Sequence, residues 1–331
     1  MGTTYSIECQ VEQRCSVEIG RWQNIAEKYT SLMRTVAIVD SAVADREAIY
    51  ELFKDVIVVD GGESIKSLSA AGGLLQQLCD IGVDRQSVLV AIGGGTVTDV
   101  VGFVAATYMR GISCVFFPTT LLGQVDAAIG GKCAVNMGGY KNMVGAFALP
   151  KQVVCDTSWL ASLPEREWRA GMAEVIKTAI IGDAALFDLL ENKTLNNFCN
   201  DADLCSEIVA RCVAVKCDIV RRDLREAGER RLLNLGHTIA HAIESLSQEF
   251  SHGEAVAMGI VYASRKAVER GVLAPDVAER IESLLQRYDL PTELPLAEGA
   301  LLEAVAHDKK SINGTPRWVL PTAIGRCIVE K

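Results

Sequence analysis

Three of the chain's four histidines, His237, His241 and His252, fall within sixteen residues of one another. Neutral imidazole is a good ligand for a divalent transition metal, and near pH 7 it can also move a proton. Arg230, Asn234, His237 and His241 recur at steps of four, three and four, which on one helix make a single polar stripe. Leu232, Leu233 and Ile239 fall mostly off that stripe. A stripe that served packing alone would be apolar, so this one is expected to face a polar site. The i,i+4 spacing favours His237 and His241 as a metal pair, although Thr238 stands where an HExxH metalloprotease has Glu. His252 is an equally available third imidazole, and spacing does not settle which two bind. Glu174 and Lys177, three apart, share one helix face and supply the acid candidate.

A second group surrounds Gly93-Gly94-Gly95-Thr96, a glycine run that follows an apolar strand signal and opens a helix. Absent side chains let a pyrophosphate approach the backbone, and a helix N-terminus offers N–H donors to it. The run is not GxGxxG, so a tight strand-to-helix turn is the plainer alternative. Asp40, ending an earlier strand signal, suits a ribose hydroxyl or is an ordinary strand-end acid. Between 118 and 145 six glycines are interspersed with Asp126, Lys132, Asn136, Lys141 and Asn142. The segment is expected to be a long functional loop whose lysines suit a phosphate.

The strings GGGTVTDVVGF, PTTLLGQVDAAIGGK, YKNMVGAF, LPERE, AEVIK, LNLGHTIAHAIE, HGEAVAMG and HDKK occur in this order. Together they resemble the 3-dehydroquinate synthase family of sugar phosphate cyclases. The resemblance implies metal ligands at Glu174, His237 and His252, against the pair that spacing favours. It implies NAD contacts at Asp40, Glu63, Lys66, Gly94, Gly95, Asp99, Thr119, Thr120, Lys132, Lys141, Trp159 and Ser162. Substrate-site positions match at Arg110, Asp126, Lys132, Asn142, Lys177, Lys216, Glu226, Arg230, Asn234, His241 and Lys310. Departures from the family pattern are Met137 and Tyr140 in the glycine-rich segment, Ser162 for Thr, and Thr178-Ala179 after AEVIK. None removes an implied ligand.

The implied activity converts 3-deoxy-D-arabino-heptulosonate 7-phosphate to 3-dehydroquinate and phosphate. It runs by transient oxidation with NAD, β-elimination, re-reduction, ring opening and intramolecular aldol closure, in the shikimate pathway. The implied cofactors are NAD and one divalent metal, zinc or cobalt. Lys216 and Arg230 match the substrate-carboxylate positions. The alternative for them is a pair of surface charges bound to Asp218 and Glu226. His241 is either a proton relay or a supporting hydrogen-bond partner. Rival readings are a metal-dependent polyol or alcohol dehydrogenase, a valiolone-forming cyclase, and a binding protein without catalysis.

These residues need a frame that brings positions far apart in sequence together. Apolar runs at 35–39, 55–59, 87–92, 114–117 and 153–155 suit strands buried on both faces, alternating with helical patterning. The first half is therefore expected to be a doubly wound, mostly parallel α/β nucleotide-binding domain over 1–157. Helical segments near 167–182, 203–221, 229–248, 252–270 and 275–288 lead to an all-α metal- and substrate-binding domain over 158–331.

A net charge of −9 argues against nucleic acid as a partner, which needs a basic face. No run of 18 apolar residues occurs and the N-terminus lacks a signal-peptide pattern, so a cytoplasmic enzyme is expected. The first six residues fit a loose myristoylation pattern, but no polybasic segment follows. Eleven cysteines without CxxC spacing read as buried thiols, including the four between 199 and 217. A homodimer acting on a small anionic substrate, with no membrane partner, completes the expectation.

Overall fold

The five apolar runs all become strands of one six-stranded sheet in the computed structural model, which describes residues 13–307 and 317–330. The first part runs β1 (Ser16–Ile19), α1 (Trp22–Leu32), β2 (Thr35–Asp40), α2 (Glu47–Leu52), β3 (Asp55–Val59), α3 (Leu68–Asp80), β4 (Val88–Gly93), α4 (Gly95–Thr107) and β5 (Ser113–Pro118). After a hairpin of β6 (Lys132–Met137) and β7 (Tyr140–Phe147), β8 (Gln152–Cys155) returns to the sheet. The order is β1-β8-β5-β4-β2-β3, with every pairing parallel. Alternate side chains go to opposite layers. Ala37, Val39, Val90 and Ile92 pack with Trp22, Ile49 and Phe53, while Val36, Ile38, Leu89 and Ala91 pack with Leu74, Val100 and Val104. Burial on both faces is why these strands read as continuous apolar runs.

Successive strands leave β2 in opposite directions, β3 on one side and β4 on the other. Such a reversal opens a crevice at the carboxyl ends of the two strands, where open α/β sheets bind ligands. Asp40 ends β2 and Gly93 ends β4, so both acidic and glycine candidates sit at that crevice.

The segment expected as a long loop is instead ordered structure. Gly123–Ala127 is a π-helical turn, and β6 and β7 pair antiparallel across a two-residue turn. Gly138 and Gly139, at φ 59° and 80°, supply the left-handed backbone that such a turn requires.

The rest of the chain is helical apart from its end: α5 (Glu165–Gly182), α6 (Ala184–Glu191), α7 (Leu195–Asn200), α8 (Ala202–Arg222), α9 (His237–Leu246), α10 (His252–Glu269), α11 (Pro275–Arg287) and α12 (Glu298–His307). An antiparallel ribbon of β9 (Val319–Ala323) and β10 (Arg326–Val329) follows, so the all-α expectation is corrected to mostly helical. Its strands are short and Pro321 interrupts the first, which left no strand pattern to read. Helix α5 is the axis of this part, buried at every position from Ala170 to Ile181.

The single helix expected over 229–248 is also corrected. Glu229–Asn234 is a 3₁₀ segment, and α9 begins only at His237. Between them Gly236 is left-handed, at φ 79°. Arg230 and Asn234 therefore do not share one helix with His237 and His241; tertiary packing, not helical register, relates the two pairs. A Cβ on Gly236 would lie 2.8 Å from the Val256 carbonyl oxygen and 2.9 Å from Ile260 Cγ1. This contact lays the start of α9 directly on α10. Gly236→Ala is expected to cost about 1–2 kcal/mol from backbone conformation alone, with the overlap adding to it. Urea denaturation measures it, and an unchanged midpoint would refute the account.

Candidate active site

Helices α9 and α10 both begin with a histidine and pack together, and α5 runs beside α10. Glu174 on α5, His237 and His252 each offer a ligand atom, and these atoms all lie within 4.8 Å of one another. His237 Nε2 is 3.8 Å and His252 Nε2 3.3 Å from Glu174 Oε1. The other ring nitrogens face acceptors, His237 Nδ1 at 3.1 Å from the Leu235 carbonyl and His252 Nδ1 at 3.2 Å from Glu244 Oε1. Glu174 is fully buried, yet neither carboxylate oxygen is in a sound hydrogen bond. Buried carboxylate oxygens of this kind call for a partner. One acid and two imidazoles converging on a point fit a divalent metal and leave coordination positions open. His241 is outside this set, its ring 5.6 Å from that of His237.

Four more buried or half-buried charges lie near the triad, and one of them, Lys177, touches it. Lys177, 1% exposed, forms ion pairs with Glu174 and, at 3.5 Å, with Asp126 of the π-helical turn. Lys216 of α8 reaches the same aspartate, donating to its carboxylate and to its carbonyl oxygen. Burial would lower the Lys177 pKa, but Asp126 and Glu174 together raise it. For Lys216 burial wins and the pKa falls, even with Asp126 beside it. Asp126 and Glu174 are both held below the usual carboxylate range, because Lys177 and their other cationic neighbours outweigh burial.

Arg230, 2% exposed, is the fourth. Its Nη1 donates to the Leu224 carbonyl at 2.5 Å; among the described residues its Nε has no hydrogen-bond partner and no carboxylate forms an ion pair with it, though Glu226, Asp126 and Asp223 lie near enough to favour its charge against burial. Asp218, suggested as a surface partner, instead pairs with Arg221 and Arg222. Lys216 and Arg230 are both buried, which removes the surface-charge alternative.

The turn between α8 and the 3₁₀ segment is fixed by Asp223. Its carboxylate accepts from the backbone N–H groups of Ala227 at 2.9 Å, Gly228 at 2.7 Å and Arg230 at 3.0 Å. Within it Glu226 adopts a left-handed φ of 58° and joins Lys132 on β6 to Asn234.

At the sheet crevice, buried Lys66 donates to Asp99 of α4 and to Asn142 of β7, each at 2.6 Å. Asp99 stays above its ordinary pKa because burial exceeds the help of Lys66. Glu63 accepts from Asn136 at 2.8 Å, and Thr119 N–H donates to the Gly93 carbonyl at 2.9 Å. Packing also dictates the glycines. A Cβ on Gly95 would lie 2.8 Å from Ala127 Cβ, and one on Gly94 would lie 3.2 Å from Thr120 Cγ2. Lys141 pairs with Glu244 of α9 at 2.9 Å. Trp159 is buried and Ser162 lies beside it; Arg46 covers the Trp159 ring at 4.0 Å and donates to Ser162 Oγ at 3.1 Å.

Arg110 is not brought to this site within one chain. It is exposed beyond the C-terminal end of α4, at the opposite end of the sheet from Gly93 and Thr119. Lys310 lies outside the described residues. Sequence reasoning missed Asp223, Glu244 and Arg46. Of these only Glu244, seven residues after His237 and on its helix face, carried a readable signal.

Alanine at Glu174, His237 or His252 should lower bound metal well below one per chain, whereas His241→Ala should keep it. Metal analysis after dialysis checks this, and retention in His252→Ala with loss in His241→Ala would restore the pair that spacing favoured. In the metal-free chain burial alone would lower the His252 pKa, but Glu174 and Glu244 push it up to about 10, while burial takes His237 down to about 4. At neutral pH a metal must therefore displace the His252 proton and none from His237. Affinity should rise about tenfold per unit from about pH 6 to 9, and a flat profile would contradict this electrostatic account.

The 3-dehydroquinate synthase N-terminal family model matches residues 56–170, and the 3-dehydroquinate synthase C-terminal model matches residues 171–311. A 3-dehydroquinate synthase of Desulforamulus reducens is 44% identical over 280 residues, which are 83% of this chain and 78% of that protein. Among solved structures, 2-epi-5-epi-valiolone synthase from Streptomyces hygroscopicus subsp. jinggangensis, with NAD+ and Zn2+ bound, is similar at TM-score 0.88 and 28% identity, covering 98% of this chain and 94% of that one. A 2-deoxy-scyllo-inosose synthase complexed with carbaglucose-6-phosphate, NAD+ and Co2+ is similar at TM-score 0.82 and 27% identity, covering 94% and 90%. With both family models matched end to end across a metal-competent site, the chain belongs to the 3-dehydroquinate synthase family.

Proposed function

We propose that the chain converts 3-deoxy-D-arabino-heptulosonate 7-phosphate to 3-dehydroquinate and phosphate, as a carbon–oxygen lyase that closes a carbocycle. Residues 1–157 would carry NAD and 158–331 the metal and most of the substrate site, in a cytoplasmic homodimer. The observation that carries this reading is Arg230. A buried guanidinium that forms no ion pair among the described residues, on the 3₁₀ segment that leads into His237, is suited to an anionic substrate group.

NAD fits the crevice between Asp40 and the start of α4, where backbone N–H groups and a helix terminus meet a carboxylate. When bound it supplies a hydride acceptor that returns the hydride within the same turnover. A divalent ion held by Glu174, His237 and His252 supplies Lewis acidity to a substrate hydroxyl, and zinc or cobalt suits one carboxylate with two imidazoles.

The chain's own groups do the rest. Arg230 and Lys216 clamp the carboxylate and so fix which end of the substrate faces the triad. Asp126 anchors Lys216 and Lys177 and keeps the two ammonium groups from repelling each other out of the cleft. Lys132 and Asn142, on the two strands of the hairpin, hold the phosphate, and Glu226 sets the height of Lys132. His241, next to His237, moves a proton at an imidazole nitrogen.

The likeness to a valiolone synthase keeps a cyclase of sugar phosphates that lack a carboxylate as the second reading, and the clamp decides between them. Arg230→Ala should cut kcat/KM on the heptulosonate phosphate by roughly 10- to 100-fold, with metal and NAD content unchanged. Unchanged kinetics, or wild-type turnover of sedoheptulose 7-phosphate at a comparable rate, would favour the cyclase of substrates that lack a carboxylate. Phosphate release should continue for many turnovers per NAD with no build-up of NADH absorbance. Stoichiometric NADH from any polyol would place the activity among dehydrogenases instead.

A further inference from the structure

Glu244 is a buried acid that the proposed reaction does not use. It lies on α9 two turns after His237, with its side chain 7% exposed. Its Oε1 faces two cationic or donor groups at once, Lys141 Nζ on the hairpin at 2.9 Å and His252 Nδ1 at 3.2 Å. The opposite nitrogen of the same imidazole, Nε2, points to Glu174. His252 is therefore held at both ends of its ring. We propose that Glu244 is a positioning residue that keeps His252 in the Nδ1–H tautomer with Nε2 presented to a metal, and that Lys141 holds Glu244 in that place.

The chemistry is general. An imidazole ligates through one nitrogen only if the other keeps its proton, and a carboxylate acceptor on that proton both orients the ring and raises its basicity. A surface ion pair with Lys141 alone would explain neither the burial of Glu244 nor its approach to Nδ1. His252 needs such help more than His237, whose Nδ1 faces the Leu235 carbonyl within its own chain turn. Because Lys141 belongs to β7, the chain Lys141–Glu244–His252 also ties the hairpin to the metal-competent triad.

The inference rests on the reading that Glu174, His237 and His252 hold a metal, and its test does not depend on turnover. Zinc affinity of the full chain is measured by competition with a chromophoric chelator, and the cobalt-substituted protein is read by its d–d absorption. Glu244→Ala should weaken zinc binding about 10- to 100-fold and shift the cobalt bands. Both contacts use one oxygen, so Glu244→Gln, which keeps an acceptor there, should restore zinc affinity to within a few-fold of wild type. Thermal unfolding of the metal-free proteins, similar for all three, separates this from loss of fold. Wild-type affinity and spectrum in Glu244→Ala, or a Gln variant as weak as the Ala variant, would overturn the proposal. Absence of zinc from the wild type measured alongside would overturn the metal reading itself.

Discussion

A carboxylate with no exposed surface, Glu174 on the central buried helix α5, is the feature around which the site is organised. Burying a charge without partners is costly, so such a group either neutralises or gathers opposite charge. Here it gathers charge. Lys177 one turn along, and the two imidazoles that begin α9 and α10, crowd its oxygens. Lys177 is then itself a buried cation, which Asp126 compensates, and Lys216 takes the remaining side of Asp126. The two acids and two lysines cancel. Arg230 is a further buried cation that forms no ion pair among the described residues, with Glu226, Asp126 and Asp223 near enough to favour its charge but not to outweigh burial. A protein of net charge −9 thus gathers three buried basic side chains, Lys177, Lys216 and Arg230, around its buried acids.

This demand explains the fold around it. The sheet places the glycine turn and Asp40 at one crevice, but the charge cluster needs residues from the π-helical turn, α5, α8, the 3₁₀ segment, α9 and α10. No single element presents more than two or three of them. Backbone approach does the assembling: Gly236 lets α9 rest on α10, and Asp223 ties down the turn that aims Glu226 and starts Arg230. The β6–β7 hairpin closes the arrangement from the other side, through Asn142 to Lys66 and through Lys141 to Glu244.

Much of this was legible in the residues, for identifiable reasons. Strands buried on both faces announce themselves as apolar runs, and five of the six sheet strands were placed from that alone. The hairpin was missed because its glycines, lysines and asparagines serve a turn and a site and so imitate a loop. The polar stripe 230–241 was read correctly as polar but wrongly as one helix, since nothing in a glycine's identity says that it will be left-handed. Helical spacing therefore favoured His237 with His241, while the geometry gathers His237 with His252 from a different helix. Charge on a helix face is usually solvated, so the place of Glu244 on the His237 face was readable but its burial was not.

Metal and glycine turn together do not separate a cyclase from an alcohol or polyol dehydrogenase, because both chemistries begin by removing a hydride from a carbon bearing a hydroxyl. The surplus of cations separates them. A dehydrogenase of neutral polyols gains nothing from a buried Arg230, whose desolvation lowers its pKa more than Glu226, Asp126 and Asp223 raise it. Retaining such a group costs stability unless a ligand supplies the missing anion on binding. Lys132 of β6 adds a further cation, paired to the Glu226 carboxylate that also acts on Arg230. A substrate that carries a carboxylate as well as a phosphate brings a second anionic group to this basic set, and a sugar phosphate lacking the carboxylate brings only one.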